Sequence, residues 1–151
     1  MTERAHPVAL VRDASAEDYD FGPDHPLAPV RVTLTHALIE DTGLATAPGV
    51  VRVTPEVEPE RDLHDTLRVH DADYVATVHD LSRAIEPGTR FLDAPTDLRA
   101  RAATVGLGAG DTPAFAGVHD ASLAVVRASA AAARRVLSGE VLHAFNPGGG
   151  L

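Results

Sequence analysis

Cysteine is absent from the chain, which removes disulfides, thiolate metal sites and cysteine nucleophiles, so any metal would have to be held by His, Asp or Glu. Tryptophan is missing too, and aromatic residues make up only 4% of the sequence. A core must therefore rest on Ala, Val and Leu, which bury less area per residue and predict modest stability. Basic residues are scarce: 13 Lys and Arg face 22 Asp and Glu, giving a net charge of -9. The acidic residues are dispersed rather than gathered in a tail, and such a surface repels phosphate backbones, which argues against a nucleic-acid partner. No stretch approaches the roughly 20 apolar residues that a membrane span requires. The opening residues set Glu3 beside Arg4 and hold no long apolar run with a small-residue cleavage site, so they do not read as a signal peptide and a cytoplasmic protein is expected.

What remains is a globular composition, 44% hydrophobic over 151 residues, and one domain covering 1–151 is the default. Val8 to Val11 form a short apolar run between Pro7 and a polar stretch, as a buried parallel strand does. Pro29 suits the first turn of a helix; Val30, Leu34, Ala37 and Leu38 then follow helical spacing until Gly43 offers a left-handed stop. The β-branched run Val50, Val51, Val53, ended by Pro55, predicts a second strand. Asp71 can cap a helix through Tyr74, Val75 and Val78 that ends near Ser82. The turn-rich segment from Glu86 to Ala114 reads as a long surface loop in which Leu98 to Ala103 are compatible with a helical turn. Gly117 to Leu137, rich in Ala, Val and Leu with polar residues kept to one side, predicts a mostly buried helix closed by Gly139, and Val141 to Phe145 a third strand. Alternating strands and helices predict an α/β fold with a parallel sheet, whose ligand sites lie beyond the carboxyl ends of the strands. Three such strands alone would leave sheet edges open.

Three stretches together carry a family likeness. They are Asp20-Phe21-Gly22-Pro23-Asp24-His25-Pro26-Leu27 with Arg31, then His70-Asp71-Ala72-Asp73-Tyr74-Val75, then the final third. That third runs through Gly106-Leu107-Gly108-Ala109-Gly110-Asp111-Thr112-Pro113 and the long helix to Asn146-Pro147-Gly148-Gly149-Gly150-Leu151. In order and spacing the chain resembles the amino-terminal part of the histone deacetylase family, most closely its bacterial acetoin utilization branch. The resemblance implies the arginase/deacetylase-type parallel sheet sandwiched by helices. It also implies a zinc-dependent hydrolysis of acetyl-lysine or another acetylated amine, in which zinc polarises the acetyl carbonyl and its bound water, a histidine takes the proton and a tyrosine stabilises the oxyanion. The family's paired histidines directly follow the glycine motif and its zinc ligands come later, so no residue here matches a catalytic or metal position. On this reading the chain alone binds no zinc and is inactive.

The resemblance further implies roles for residues that are present. Asp111 matches the carboxylate at the pocket rim that holds the substrate's backbone amides, and a charged acceptor does this well. Arg31 matches the arginine of the inner cavity, where a guanidinium attracts released acetate, and Leu27 and Leu151 match apolar positions of that cavity. Gly149 and Gly150 let the backbone pass close beside the substrate. Ala28 stands where eukaryotic relatives often carry a lysine of an inositol phosphate site, so that regulation is not expected.

Other patterns are weaker. Asp62-Leu63-His64 repeats the spacing of a zinc motif but follows Glu58-Pro59-Glu60-Arg61 rather than an apolar strand, so it is not read as a ligand pair. His64, His70, Asp71 and Asp73 are explained by capping and solvation without a metal. His25 is read as part of a structural turn rather than as a base. The triple glycine lacks the Lys of a phosphate loop. Other functions stay open: a non-catalytic binding module whose open sheet edge pairs with a partner, or one half of a split deacetylase whose separately encoded remainder assembles onto it.

Overall fold

A computed structural model of the chain describes residues 7–19, 21, 25–108 and 110–149. Its centre is a parallel sheet in the order β2-β1-β3, formed by β1 (Val8–Val11), β2 (Val50–Val53) and β3 (His143–Phe145). Register pairs Val11 with Val53 and Leu10 with Phe145. Parallel strands need crossovers, and helices supply them. The first is α1 (Val30–Asp41), which Gly43 ends in the left-handed conformation with φ 75°. The second contains α2 (Pro59–Leu67), α3 (Ala72–Ala84), α4 (Thr96–Thr104) and α5 (Val118–Leu137). The α/β parallel architecture expected from sequence is the one observed.

Because strand side chains alternate faces, Ala9, Val11 and Val53 share one face and pack with Val141 and Ala128 of α5. Small residues at Ala121, Ala124 and Ala128 let α5 sit close to its neighbours. A second apolar cluster, Leu81, Ile85, Phe91, Ala102 and Ala114, ties α3 and α4 to the segment leading into α5.

The structure revises several local expectations. Residues 86–114 are not a long surface loop: α4 and a 3-10 turn at Phe91–Asp93 fold within them, and Phe91, Ala94, Ala102 and Ala114 are buried. The turn formers Pro95 and Gly88 mark boundaries of short packed elements rather than one open loop. No apolar period announces the helix α2, because only Asp62 of its nine residues is buried. The third strand is shorter than Val141 to Phe145, and α3 runs on to Ala84. Asp71 holds the N-cap position of α3, yet its side chain makes no capping hydrogen bond. Among the described residues no helix is long and apolar enough to cross a membrane.

Candidate functional site

The carboxyl ends of the strands deliver three segments to one end of the sheet. After β1 the chain turns into a 3-10 helix at Ala14–Glu17, capped by Asp13, whose Oδ1 accepts from the Ser15 N–H at 3.0 Å. After β3 it enters the turn 146–149, closed by the Gly149 N–H donating to the Asn146 carbonyl at 3.2 Å.

The glycine turn is fitted tightly. A Cβ on Gly149 would lie 2.6 Å from both Asn146 Nδ2 and Ser129 Oγ, whereas a Cβ on Gly148 would make ordinary contacts of 3.7 Å with Val32 Cγ1 and 3.8 Å with Ala16 Cβ. Glycine at 149 thus reflects close approach: the Asn146 amide donates to Ser129 Oγ at 3.2 Å, directly across the Gly149 backbone. Gly150 and Leu151 lie outside the described residues.

Of the other residues singled out from sequence, Arg31 stands exposed in the first turn of α1, next to the Val32 that meets the glycine turn. Leu27 is half-buried, and its N–H donates to His25 Nδ1 at 3.1 Å, so the neutral ring carries its proton on Nε2. That Nε2, like the hydroxyl of the buried Tyr19, has no hydrogen-bond partner among the described residues. The His25 ring lies 4.6 Å from Phe21, which meets Phe115 edge to face at 5.3 Å. Asp111 is exposed at the tip of a small loop, held by Gly108 N–H to the Thr112 carbonyl at 3.0 Å and by the Thr112 hydroxyl to the Gly106 carbonyl at 3.1 Å. No ion pair occupies its carboxylate among the described residues.

An open cleft of about 860 Å³ brings two of these segments together: Gly110 and Pro113, flanking Asp111, line it along with His25, Phe21, Phe91 and Phe115. Arg31, Leu27 and the glycine turn are not among its walls. The structure thus joins the Asp111 loop to the His25 turn, and separately joins the glycine turn to the start of α1.

Sequence reasoning misses the strongest polar feature. Arg127, in the middle of α5, is buried with Asp13 and Asp62. Its Nε and Nη2 reach Asp13 Oδ2 at 2.7 and 2.6 Å, and its Nη1 reaches Asp62 Oδ2 at 2.8 Å. Burial opposes the charge, but the bonds to Asp62 and Asp13 outweigh it and hold the guanidinium's pKa above its ordinary value. A second bridge, Arg134 to Asp65 at 2.9 Å, also links α5 to α2. The only sequence signal is one Arg on the Ala-rich buried face of a helix. Asp62 therefore anchors a helix pair, while the His64 side chain is 75% exposed, so the two point to different surroundings. His70 stacks on Tyr74 at 5.2 Å.

Comparison with known proteins gives a consistent set of likenesses. Residues 25–150 match the histone deacetylase domain. Over 142 residues the chain is 34% identical to the acetoin utilization protein AcuC of Bacillus subtilis (strain 168), a match covering 94% of this chain and 33% of that protein. Histone deacetylase 2 of Oryza sativa subsp. japonica is 37% identical over 144 residues, covering 95% of this chain and 26% of the relative. The chain therefore spans a third or less of the length of these curated relatives.

Proposed function

The chain belongs to the histone deacetylase domain family, and from that premise we propose that it forms the amino-terminal wall of a deacetylase acting on acetylated lysine or a related acetylated amine. The observation that carries this reading is the family match over 25–150, which includes both the Asp111 loop and the glycine turn. Zinc is the metal such a reaction would use. Among the described residues no three His, Asp or Glu converge into a set able to hold it. The proposal gives this chain positioning tasks, leaves the metal ligands and the proton-transferring histidines to the remaining two-thirds of the module, and expects the isolated chain to be inactive.

Each task follows from the chemistry of a residue. Asp111 presents an unpaired carboxylate at an exposed loop tip, suited to accept hydrogen bonds from two amide N–H groups of an extended substrate. Arg31 has no partner among the described residues either, and a guanidinium there is suited to draw off the acetate released. Leu27 and Leu151 would supply apolar walls, and Gly149 and Gly150 close backbone passage.

A second reading is favoured by one observation: the outer edge of β3 carries no further strand among the described residues, and Phe145 on it is 49% exposed. Here the chain is a non-catalytic binding module or one half of a split deacetylase, with a separate carboxyl-terminal half seated on that edge. Lack of cysteine agrees with either reading in a cytoplasmic setting.

The test is to assay an acetyl-lysine peptide with the purified chain and with the chain joined to the matching carboxyl-terminal remainder of the Bacillus subtilis relative, both with zinc. Turnover only in the joined protein supports the proposal. Turnover by the chain alone contradicts the division of labour, and a folded, zinc-loaded joined protein without turnover contradicts the deacetylase reading.

A further inference from the structure

One helix, α5, holds both sides of the glycine turn. Through Ser129 it receives the Asn146 side chain, and thereby the turn itself. Through Arg127, two residues earlier, it grips Asp13, whose other carboxylate oxygen caps the 3-10 helix at Ala14–Glu17. That short helix provides Ala16, buried beneath the turn where a Cβ on Gly148 would lie 3.8 Å from the Ala16 Cβ. Asp13 thus uses its two oxygens for two tasks, one facing the guanidinium and one fixing the bed on which the turn rests.

We propose that Asp13 and Arg127 form a positioning device for the glycine turn, setting its place relative to α5 through the capped 3-10 helix. The proposal rests on the reading of that turn as a pocket wall for its functional meaning, though not for its geometry. The other arm of the guanidinium goes to Asp62 of α2, and among the described residues no hydrogen bond links α2 to the turn. A bridge that merely stabilises the fold would transmit damage from either arm alike. A positioning device transmits it from Asp13 alone.

Because the guanidinium is planar and delivers its donors in a fixed fork, it holds the capped helix in orientation as well as distance. Asp13→Asn can retain the cap through Oδ1, but it places an amide where Oδ2 received two guanidinium bonds. Asp62→Asn makes the matching change on the far arm.

The experiment is a pair of heteronuclear NMR spectra on the full chain carrying Asp13→Asn or Asp62→Asn, with urea midpoints for both. Both variants lower the midpoint. Only Asp13→Asn moves the amide signals of Gly148 and Gly149 and the Asn146 side-chain amide beyond the linewidth. Equal movement in both variants, or none in Asp13→Asn, overturns the proposal. If Asp13→Asn does not fold, native-state hydrogen exchange of the unaltered chain decides. The amides of Ser15 and Gly149 then open together, with the same urea dependence, and independent opening overturns the device. These readouts need no enzymatic activity, so they stand apart from the deacetylase assay.

Discussion

Arg127 Nη1 and Asp62 Oδ2 meet at 2.8 Å inside the protein, although 65 residues separate them along the chain. With Asp13 the group holds one positive and two negative charges, all but excluded from solvent. Removing one member of a buried bridge leaves the others charged and unpaired, which costs more than the bridge itself contributes. Arg127→Met is therefore expected to destabilise the chain by about 3–5 kcal/mol. The triple variant Arg127→Met, Asp13→Asn, Asp62→Leu, which removes all three charges, recovers much of that loss. Urea unfolding of the two proteins checks this, and a triple variant no more stable than the single would contradict it.

Glycines 148 and 149 should separate sharply. Alanine at 149 drives a methyl group to 2.6 Å from Ser129 Oγ and Asn146 Nδ2, so the latch between them must open or the turn must shift. Overpacking of this kind costs about 1–3 kcal/mol. Alanine at 148 meets only ordinary contacts, and its effect is expected to stay within roughly 0.5 kcal/mol. Thermal unfolding of both variants tests the ordering.

The buried His36 gives a pH dependence with a defined sign. Its pKa lies below the ordinary 6.5, first through burial and then through the nearby Arg12, with Arg52 acting the same way and Glu17 and Glu40 opposing. Below about pH 6.5 the unfolded chain takes up a proton that the folded chain resists, so stability is fully present above that pH and falls on acidification. His36→Gln should flatten the fall in stability that sets in as pH drops below about 6.5. Glu17 acts in a separate window. Burial would raise its pKa, but the Thr33 hydroxyl and Arg12 bring it below 4.5, so its contribution is lost only as pH falls from about that value. An unchanged slope in the His36 variant would show that another group titrates there.

Much of the fold is legible in the sequence because apolar period and turn chemistry agree locally. Val8 to Val11, the α1 stretch ending at Gly43 and the α5 stretch ending at Gly139 all announce themselves within a few residues. The helix α2 does not, since its one buried side chain is an aspartate whose partner lies on α5. The packing of 86–114 is hidden for a related reason: Phe91 and Ala102 are buried against Leu81 of α3 and Ile85 at its end, residues outside that segment. Asp111 and the glycine motif can be singled out only through the family likeness. The need for glycine at 149 depends on Ser129, which no local pattern connects to it.

In the proposed function the chain supplies a deacetylase pocket wall through the Asp111 loop. Asp111 is exposed and unpaired among the described residues, so Asp111→Ala should leave stability within roughly 0.5 kcal/mol. A charged acceptor holding a substrate amide contributes about 1.5–3 kcal/mol, or roughly 10–160-fold in kcat/KM. The deciding measurement is kcat/KM for an acetyl-lysine peptide in the joined protein of this chain and the Bacillus subtilis remainder, with and without Asp111→Ala. Turnover should drop by that factor at an unchanged melting temperature, and turnover indifferent to Asp111 would contradict the pocket-wall role.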